Sequence, residues 1–367
     1  MLCQTTIEVE RELRRRILAA QYAPGMRIPP ERELTETFGC SRGTVSKALA
    51  ALESEGVVER RHGAGTFVAE RVPAAPRGNN AAAEARVMRR GNVIKYLSPM
   101  EDSRVENSRN KVLDGMHEAL DGAQFHVSID FYKDAKECAA CLKKLRDPQI
   151  AGVVFWGTPG DEVAREARRL MEAGVAMVMI DTFLQEVECD FVVSDNIGGA
   201  AEMVRFLAEQ GHRDICYFTS DPDRSSLVDR LAGFLKGMVL AGLPFSADNV
   251  AQVDENLESV LRSVLKRKRR PSAIFASHDM KAISIVNALR ELGVSVPEDI
   301  SVVGYDGVDA GRLVRPALTT MEQDFRGMAL KASQILLERL GRRSANLFYR
   351  IYVEPKLKVR KSHKGII

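Results

Sequence analysis

The sequence predicts an α/β protein in two parts: a small winged helix-turn-helix, then a two-lobed domain built on parallel sheets. Three observations carry that expectation. The first 70 residues hold short amphipathic helices and a hairpin with glycine at its tip. Residues 71–90 are rich in proline, glycine, asparagine and alanine. From Gly91 onward, short apolar runs alternate with amphipathic helices. A chain of 367 residues is too long for one ordinary domain and suits two or three, each with its own core. With 45% apolar and 28% charged residues it reads as a globular protein, and a net charge of +3 means that any basic surface must be local.

In the first part, Leu13, Ile17 and Leu18 give the opening helix its apolar stripe, and Pro24-Gly25 ends it. Pro30 opens a second helix, with Glu31 and Glu33 in a first turn where the helix dipole favours acids. Leu34 and Phe38 face inward, and Gly39 stops the helix. Ser41 caps a third helix on which Val45, Ala48, Leu49 and Leu52 recur at i, i+3, i+4 and i+7. Its first turns carry Arg42, Gly43 and Thr44, with Ser46 and Lys47 just beyond. Such a polar, basic N-terminus suits a helix that enters a major groove end-on. Residues 57–60 and 65–68 then read as two hairpin strands around the tip Arg61-His62-Gly63-Ala64-Gly65. The Gly63-x-Gly65 pair is not a dinucleotide fingerprint, because a strand follows it instead of a helix.

Three of these segments, Arg27-Ile28-Pro29-Pro30-Glu31-Arg32-Glu33-Leu34, Ser41-Arg42-Gly43-Thr44-Val45 and Arg61-His62-Gly63-Ala64-Gly65-Thr66-Phe67-Val68, together resemble the GntR-family winged helix over residues 6–69. The resemblance implies that Arg32, Ser41, Arg42, Gly43, Thr44, His62, Gly63 and Gly65 meet double-stranded operator DNA. Lys47 joins them beside Ser46, which stands where the family often carries a second arginine. Pro30 replaces the family's usual capping serine.

Residues 71–90 are expected to form a tether between a DNA-binding domain over 1–70 and a sensor over 91–355. In the sensor, residues 92–97, 125–131, 152–155, 176–180, 215–218, 273–276 and 300–303 read as strands. Residues 107–120 and 134–145 read as helices. Parallel sheets with helices on both faces follow, with a ligand crevice at the carboxyl ends of the strands.

Val193-Ser194-Asp195-Asn196, Gly211-His212-Arg213-Asp214-Ile215 and Arg230-Leu231-Ala232-Gly233-Phe234 are similar to the LacI/GalR type of periplasmic-binding-protein-like sensor. So are Pro271-Ser272-Ala273-Ile274-Phe275-Ala276-Ser277-His278-Asp279, Val296-Pro297-Glu298-Asp299-Ile300-Ser301-Val302-Val303-Gly304-Tyr305-Asp306 and Pro316-Ala317-Leu318-Thr319-Thr320. The resemblance implies lobes over about 91–194 and 195–305, with later crossovers near 306–324. It also implies effector contacts from Arg230 and Asp279, and from Arg109 on an early helix. Asp181 and Thr182 end the strand 176–180; Asp181 reads either as a ligand contact or as a cap. Trp156, the only tryptophan, reads either as a platform for a sugar ring or as core. Asp306 reads as structural, and His278 occupies a position where the family usually has asparagine.

Other function classes find no support. The lone Cys138-x-x-Cys141 pair lacks the further ligands that zinc needs, and the six cysteines read as ordinary thiols. No phosphate loop, nucleophile elbow or Schiff-base lysine motif is found. No metal or other cofactor is implied, and no enzymatic activity. The charged N-terminal stretch has no apolar signal region, and no apolar run reaches the roughly 20 residues of a membrane span. A cytoplasmic place follows. The basic run Lys266-Arg267-Lys268-Arg269-Arg270 reads as a solvated loop. The pairing of such a reader with such a sensor resembles a sugar-responsive repressor, acting as a homodimer on a pseudopalindrome. The rival reading is a purine-type corepressor on the same fold.

Overall fold

The computed structural model describes residues 9, 12–13, 17, 22, 25–54, 57–61, 65–69, 91–100, 103–220, 223–253, 256–341 and 348–366. The chain divides into two compact units, Met1–Ala82 and Ala83–Ile367, which are taken separately. Residues 71–90, expected as the tether, lie outside the described residues, as do His62, Gly63 and Leu18.

In the first unit, α1 (Glu31–Phe38) and α2 (Arg42–Ser54) flank a tight turn. Pro30 at the N-terminus of α1 makes no side-chain cap, as its lack of a polar side chain requires. Gly39 ends α1 with φ 64°, a left-handed conformation open to glycine at no steric cost, and its N–H bonds Thr35 O. Strands β1 (Val58–Arg61) and β2 (Gly65–Val68) pair antiparallel, Val58 opposite Val68. Residues 25–28 join the hairpin as a third edge, through Ile28 N–H to Thr66 O at 2.8 Å and Val68 N–H to Met26 O at 2.8 Å. Leu13, Ile17, Leu34, Phe38, Val45, Ala48, Leu49 and Leu52 share one buried cluster with Val58 and Val68, so the helical spacing read in the sequence marks the core face.

The second unit holds two six-stranded sheets. The first lobe begins with β3 (Val93–Pro99), α3 (Ser103–Leu120), β4 (His126–Tyr132), α4 (Ala135–Lys144) and β5 (Ile150–Phe155). It continues through α5 (Asp161–Glu172), β6 (Ala176–Ile180) and β7 (Asp190–Ser194). The chain then enters the second lobe with α6 (Asn196–Glu209), β8 (Ile215–Thr219), α7 (Ser225–Leu240), β9 (Val250–Gln252) and α8 (Leu257–Leu265). There follow β10 (Ala273–Ala276), α9 (Asp279–Glu291), β11 (Ser301–Asp306), α10 (Ala310–Leu313) and β12 (Thr319–Glu322). It returns to the first lobe for α11 (Phe325–Gly341) and β13 (Arg350–Val353), and crosses once more for β14 (Lys356–Lys358). The first sheet runs β13-β7-β6-β5-β3-β4 with every pair parallel. The second runs β14-β12-β11-β10-β8-β9, parallel except at β14.

Both sheets bury two faces, which is why their strands read as nearly continuous apolar runs. Alternation survives inside those runs. Ile94, Tyr96, Val154 and Val178 pack under α11, while Leu97, Val153, Phe155 and Met177 pack on the opposite side. In the second lobe, Cys216, Phe218 and Ile274 face α9, whereas Tyr217, Phe275 and Tyr305 face α6 and α7. The sensor also runs past residue 355: Ser362 accepts from Thr319 N–H at 2.9 Å, and the His212 ring meets Lys364 O at 3.0 Å. Edge strand β13 is anchored by Arg339, whose fork grips both carboxylate oxygens of buried Asp190 at 2.7 Å. Asp190 in turn accepts Tyr349 N–H at 2.7 Å.

Candidate functional site

The first unit carries a groove of about 750 Å³ lined by Arg27, Arg32, Arg42 and Arg60 together with Glu31 and Gly65. Each arginine arrives from a different element: the edge segment, α1, the start of α2 and the wing strand β1. At the head of α2, Ser41 caps the helix by accepting Thr44 N–H at 3.2 Å, and the two hydroxyls lie 2.9 Å apart. Arg42 points outward, 82% exposed, with a loose pair to Glu31 at 3.2 Å. Arg32 is 91% exposed and pairs with Glu36 at 3.6 Å. Gly43 and Lys47 are exposed on the same helix. Arg60 donates to the Ser46 carbonyl at 3.1 Å, so a guanidinium stands beside the position that lacks the second recognition-helix arginine. Arg60 and Arg27 were not among the DNA-contacting residues expected from the sequence, although Arg27 opens the first matching segment. Gly65 has φ 111°, and a Cβ there would lie 2.7 Å from Arg27 Nε. The backbone of the wing therefore runs close under the arginine.

In the sensor, the residues that follow the strands converge between the lobes. Arg230 on α7 is the centre. Its Nε donates to Asn196 Oδ1 at 2.8 Å, and Nη1 donates to Ser277 O at 2.7 Å and lies 3.0 Å from Asp306 Oδ1. The guanidinium stacks over the Tyr305 ring at 4.0 Å, and the side chain is 3% exposed. Burial opposes its charge, but Asp306, Tyr305 and Asp181 more than offset that and raise its pKa. Asp181 belongs to the first lobe, so its influence on Arg230 spans the crevice.

Among the described residues, two non-glycines have φ in the left-handed region: Asp181 at 65° and Asp306 at 117°. Both end a central strand, one in each lobe. Strained backbone at two facing strand ends costs stability, and it marks a site whose side-chain directions matter more than comfort. Unmet polar atoms collect at the same level. Trp156 Nε1, Ser277 Oγ and Gln323 Oε1 are buried without a partner among the described residues, each one residue beyond a strand end.

The expected effector residues do not all open on the crevice. Thr182 is buried and donates its hydroxyl to Gly157 O at 2.6 Å. Trp156 is buried against Phe325, ring centroids 5.6 Å apart, within the first-lobe core. Arg109 donates to Pro99 O at 3.3 Å and lies over the Phe131 ring at 4.6 Å, with Nε buried and unpartnered among the described residues. Asp279 is 0% exposed, and protein groups take both its oxygens. Gly307 and Val308 N–H donate to Oδ2 at 2.8 and 2.9 Å, and the Thr320 hydroxyl to Oδ1 at 2.6 Å. Burial and the charge of Asp306 push its carboxyl pKa upward. Asp279 thus fastens the turn after Asp306, and Asp306, expected as a structural residue, is the carboxylate beside Arg230. His278 caps α9 by accepting Lys281 N–H at 3.0 Å. Asn196, Tyr305 and Asp306 were missed as site residues although their motifs were visible; the usable signal was that each sits at or just beyond a strand end.

Residues 5–68 match the family described as bacterial regulatory proteins, gntR family, and residues 204–363 match the periplasmic binding protein-like domain. The chain carries a GntR helix-turn-helix and a periplasmic-binding-protein-like sensor. It is 27% identical to the arabinose metabolism transcriptional repressors of Halalkalibacterium halodurans and Geobacillus stearothermophilus, with 98% of both chains covered in each case. The HTH-type transcriptional repressor PurR of Salmonella newport is 34% identical over 194 residues, covering 51% of this chain and 56% of that one. Among solved structures, a transcriptional regulator CelR–cellobiose complex matches with TM-score 0.66 at 22% identity, covering 91% of this chain and all of that one. A LacI-family regulator from Weissella paramesenteroides with bound glucose matches with TM-score 0.61 at 22% identity, covering 75% and 99%. These likenesses establish the sensor fold. No helix among the described residues is long and apolar enough to cross a membrane.

Proposed function

We propose that the protein is a cytoplasmic transcriptional repressor that a sugar or other small hydroxylated effector releases from a pseudopalindromic operator. The observation that carries this reading is the facing pair of strained strand ends, Asp181 and Asp306, around the buried fork of Arg230. Two carboxylates and a guanidinium spanning neighbouring hydroxyls are polyol chemistry. The full-length similarity to arabinose repressors supports it. The working domains are the reader over 1–70, the tether over 71–90, and the sensor from 91 through the tail that packs on the second lobe.

In the reader, Arg32, Arg42, Lys47, Arg27 and Arg60 supply charge to phosphates and base edges, with Ser41, Gly43, Thr44 and the wing around His62, Gly63 and Gly65. One reader spans a short half-site, so a homodimer places two of them about 34 Å apart or a multiple of that. In the sensor, Arg230, Asp306, Asp181 and Asn196 hold the effector, Thr182 and Trp156 shape its walls, and Arg109 approaches from α3. Asp279 positions the Asp306 turn. Effector contact with both lobes favours their closure, and coupling of about 1–3 kcal/mol then lowers operator affinity 5- to 150-fold.

A melting-temperature screen over monosaccharides, oligosaccharides and purines identifies the effector class, because a ligand that binds only the native state raises the transition. Operator titration with and without that ligand follows. Weaker operator binding with a saccharide is the expected result. Tighter binding with a purine would reverse the sign and favour the corepressor reading, which the 34% identity to PurR over about half of the chain supports.

A further inference from the structure

The basic run Lys266-Arg267-Lys268-Arg269-Arg270, expected as a solvated loop, joins α8 to β10 and holds most of its side chains in solvent. It carries more charge than the fold uses. Lys266 stands at the C-cap of α8, where the helix dipole amounts to about half a negative charge and one cation offsets it. Arg267 pins the loop to the sheet by donating to Asp248 O and to Cys216 Sγ. Arg269 pairs with Asp214 at 2.9 Å, both partly in solvent. Lys266, Lys268 and Arg270 are exposed and have no carboxylate partner among the described residues.

The topology brings further cations to the same place. Strands β8 and β10 are parallel neighbours, Ile215 opposite Ala273, so the loops that enter them lie side by side. Ser272 N–H bonds Asp214 O at 2.8 Å across that seam. Residues 211–214 and 266–272 together hold six cations, Arg213 being the sixth, and one carboxylate, Asp214, which Arg269 already occupies. Residues 361–366 run past the same end. There the His212 ring meets Lys364 O at 3.0 Å, and Ile366 N–H bonds Gln210 O at 2.8 Å. They add Lys361 and Lys364, both exposed. In a chain whose net charge is only +3, this is a strong local concentration. It lies at the amino ends of the second sheet's strands, whereas the proposed effector crevice lies at their carboxyl ends.

The composition of this surface selects its partner. From Lys266 to Arg270 there is no aromatic or apolar side chain. Single-stranded nucleic acid is held on aromatic platforms, and protein interfaces have an apolar core; the loop offers neither. Cations spread over two loops and a tail suit a row of phosphates, which duplex DNA presents along its whole length.

We propose that the amino end of the second lobe is a further, sequence-independent surface for duplex DNA, separate from the reader. It meets the phosphate backbone alone and reads no bases, so its hold adds to that of the reader and weakens steeply with salt. The choice of DNA among polyanions rests on the DNA-binding reader; the basic surface itself does not.

Fluorescence anisotropy on the full chain tests this with a labelled random-sequence duplex of about 30 base pairs, from about 50 to 200 mM KCl. The chain with Arg32→Ala and Arg42→Ala, its reader weakened, should still bind the duplex. Adding Lys266→Gln, Lys268→Gln and Arg270→Gln should weaken that binding at least tenfold. The slope of log affinity against log salt should flatten by about 2–3. Lys266→Arg, Lys268→Arg and Arg270→Lys, which keep the charges, should leave binding within twofold of the reader-weakened chain. No duplex binding once the reader is weakened, or equal affinity with and without the glutamines, would overturn the surface and leave the reader standing. Polyglutamate that displaces the duplex as well as unlabelled duplex of equal charge does would overturn the DNA assignment in favour of an acidic protein.

Discussion

The reader groove and the sensor crevice both gather arginines, and they hold them in opposite ways. Arg42 and Arg32 stand in solvent with single loose carboxylate partners, whereas Arg230 is enclosed, with Nε and Nη1 both engaged. On the proposed function, the difference follows from what each site would meet. Phosphates bring their own dense negative charge, and affinity comes largely from releasing counterions, so exposed arginines suffice. An exposed ion pair is worth roughly 0–1 kcal/mol and yields readily to DNA. A neutral polyol brings no such field. Its site must hold the guanidinium aligned beforehand, and the enclosure that aligns it would be costly without Asp306, Asn196 and Ser277.

The contrast breaks first at Arg230. Arg230→Ala leaves Asp306 buried beside Gln323 without its cation, and loss of one partner of a buried pair costs about 3–5 kcal/mol. Urea unfolding of the sensor should shift by that amount while the reader's own transition stays in place. An unchanged midpoint would mean that the pair is not enclosed.

Asp279 sharpens the same contrast by pH. Its native pKa is raised above the unfolded value near 4, so the native state holds its proton more tightly. That contribution is fully present below the unfolded pKa and is lost as pH rises through the native one. An amide in place of the carboxyl would keep the shape without a titrating group. Within that window wild type should lose about 1.4 kcal/mol per pH unit relative to Asp279→Asn. Parallel stability profiles for the two proteins would refute the raised pKa.

In the reader the expected effects are smaller and fall on binding. Arg42→Ala should cost about 1–3 kcal/mol of specific operator affinity if its fork reaches a guanine, with the melting temperature unmoved. Gel shifts showing equal specific and nonspecific affinities for the variant would remove Arg42 from the interface. Gly65→Val should cost the reader about 1–2 kcal/mol in stability, from its positive φ and the crowding of Arg27, and should weaken operator binding with the sensor intact. A well-folded variant with wild-type DNA affinity would reduce the wing to a turn.

What could be read in the sequence follows the same division. The reader core was visible because Val45, Ala48, Leu49 and Leu52 repeat at helical spacing, and its groove because the motifs are local. The central sensor strands were visible as apolar runs. Strands β7, β9, β12, β13 and β14 were not among the strands read from the sequence; most are short or sit at an edge, and β13 pairs with β7 from far along the chain. Arg230 was found, but its partners Asn196 and Asp306 lie 34 and 76 positions away, and no spacing rule connects them. Asp279 was expected to touch ligand because its position matches one implicated in effector contact in LacI/GalR-type sensors. Here Thr320 and two backbone N–H groups arrive from elsewhere in the chain and occupy it first.

The triple crossing between lobes also bears on how the protein is made. The first sheet opens with β3 at residue 93 but gains its last strand only at residues 350–353, and the second waits for residues 356–358. A ribosome must therefore translate past residue 350 before either sheet can close. Until then α11 is missing from the apolar face formed by Ile94, Val154 and Val178. The sensor thus passes through synthesis with a sticky, half-covered first lobe, a client for chaperones, while the reader can finish folding early. Premature termination between residues 91 and 350 would leave both lobes short of an edge, releasing a fragment that keeps the whole reader and no complete sensor.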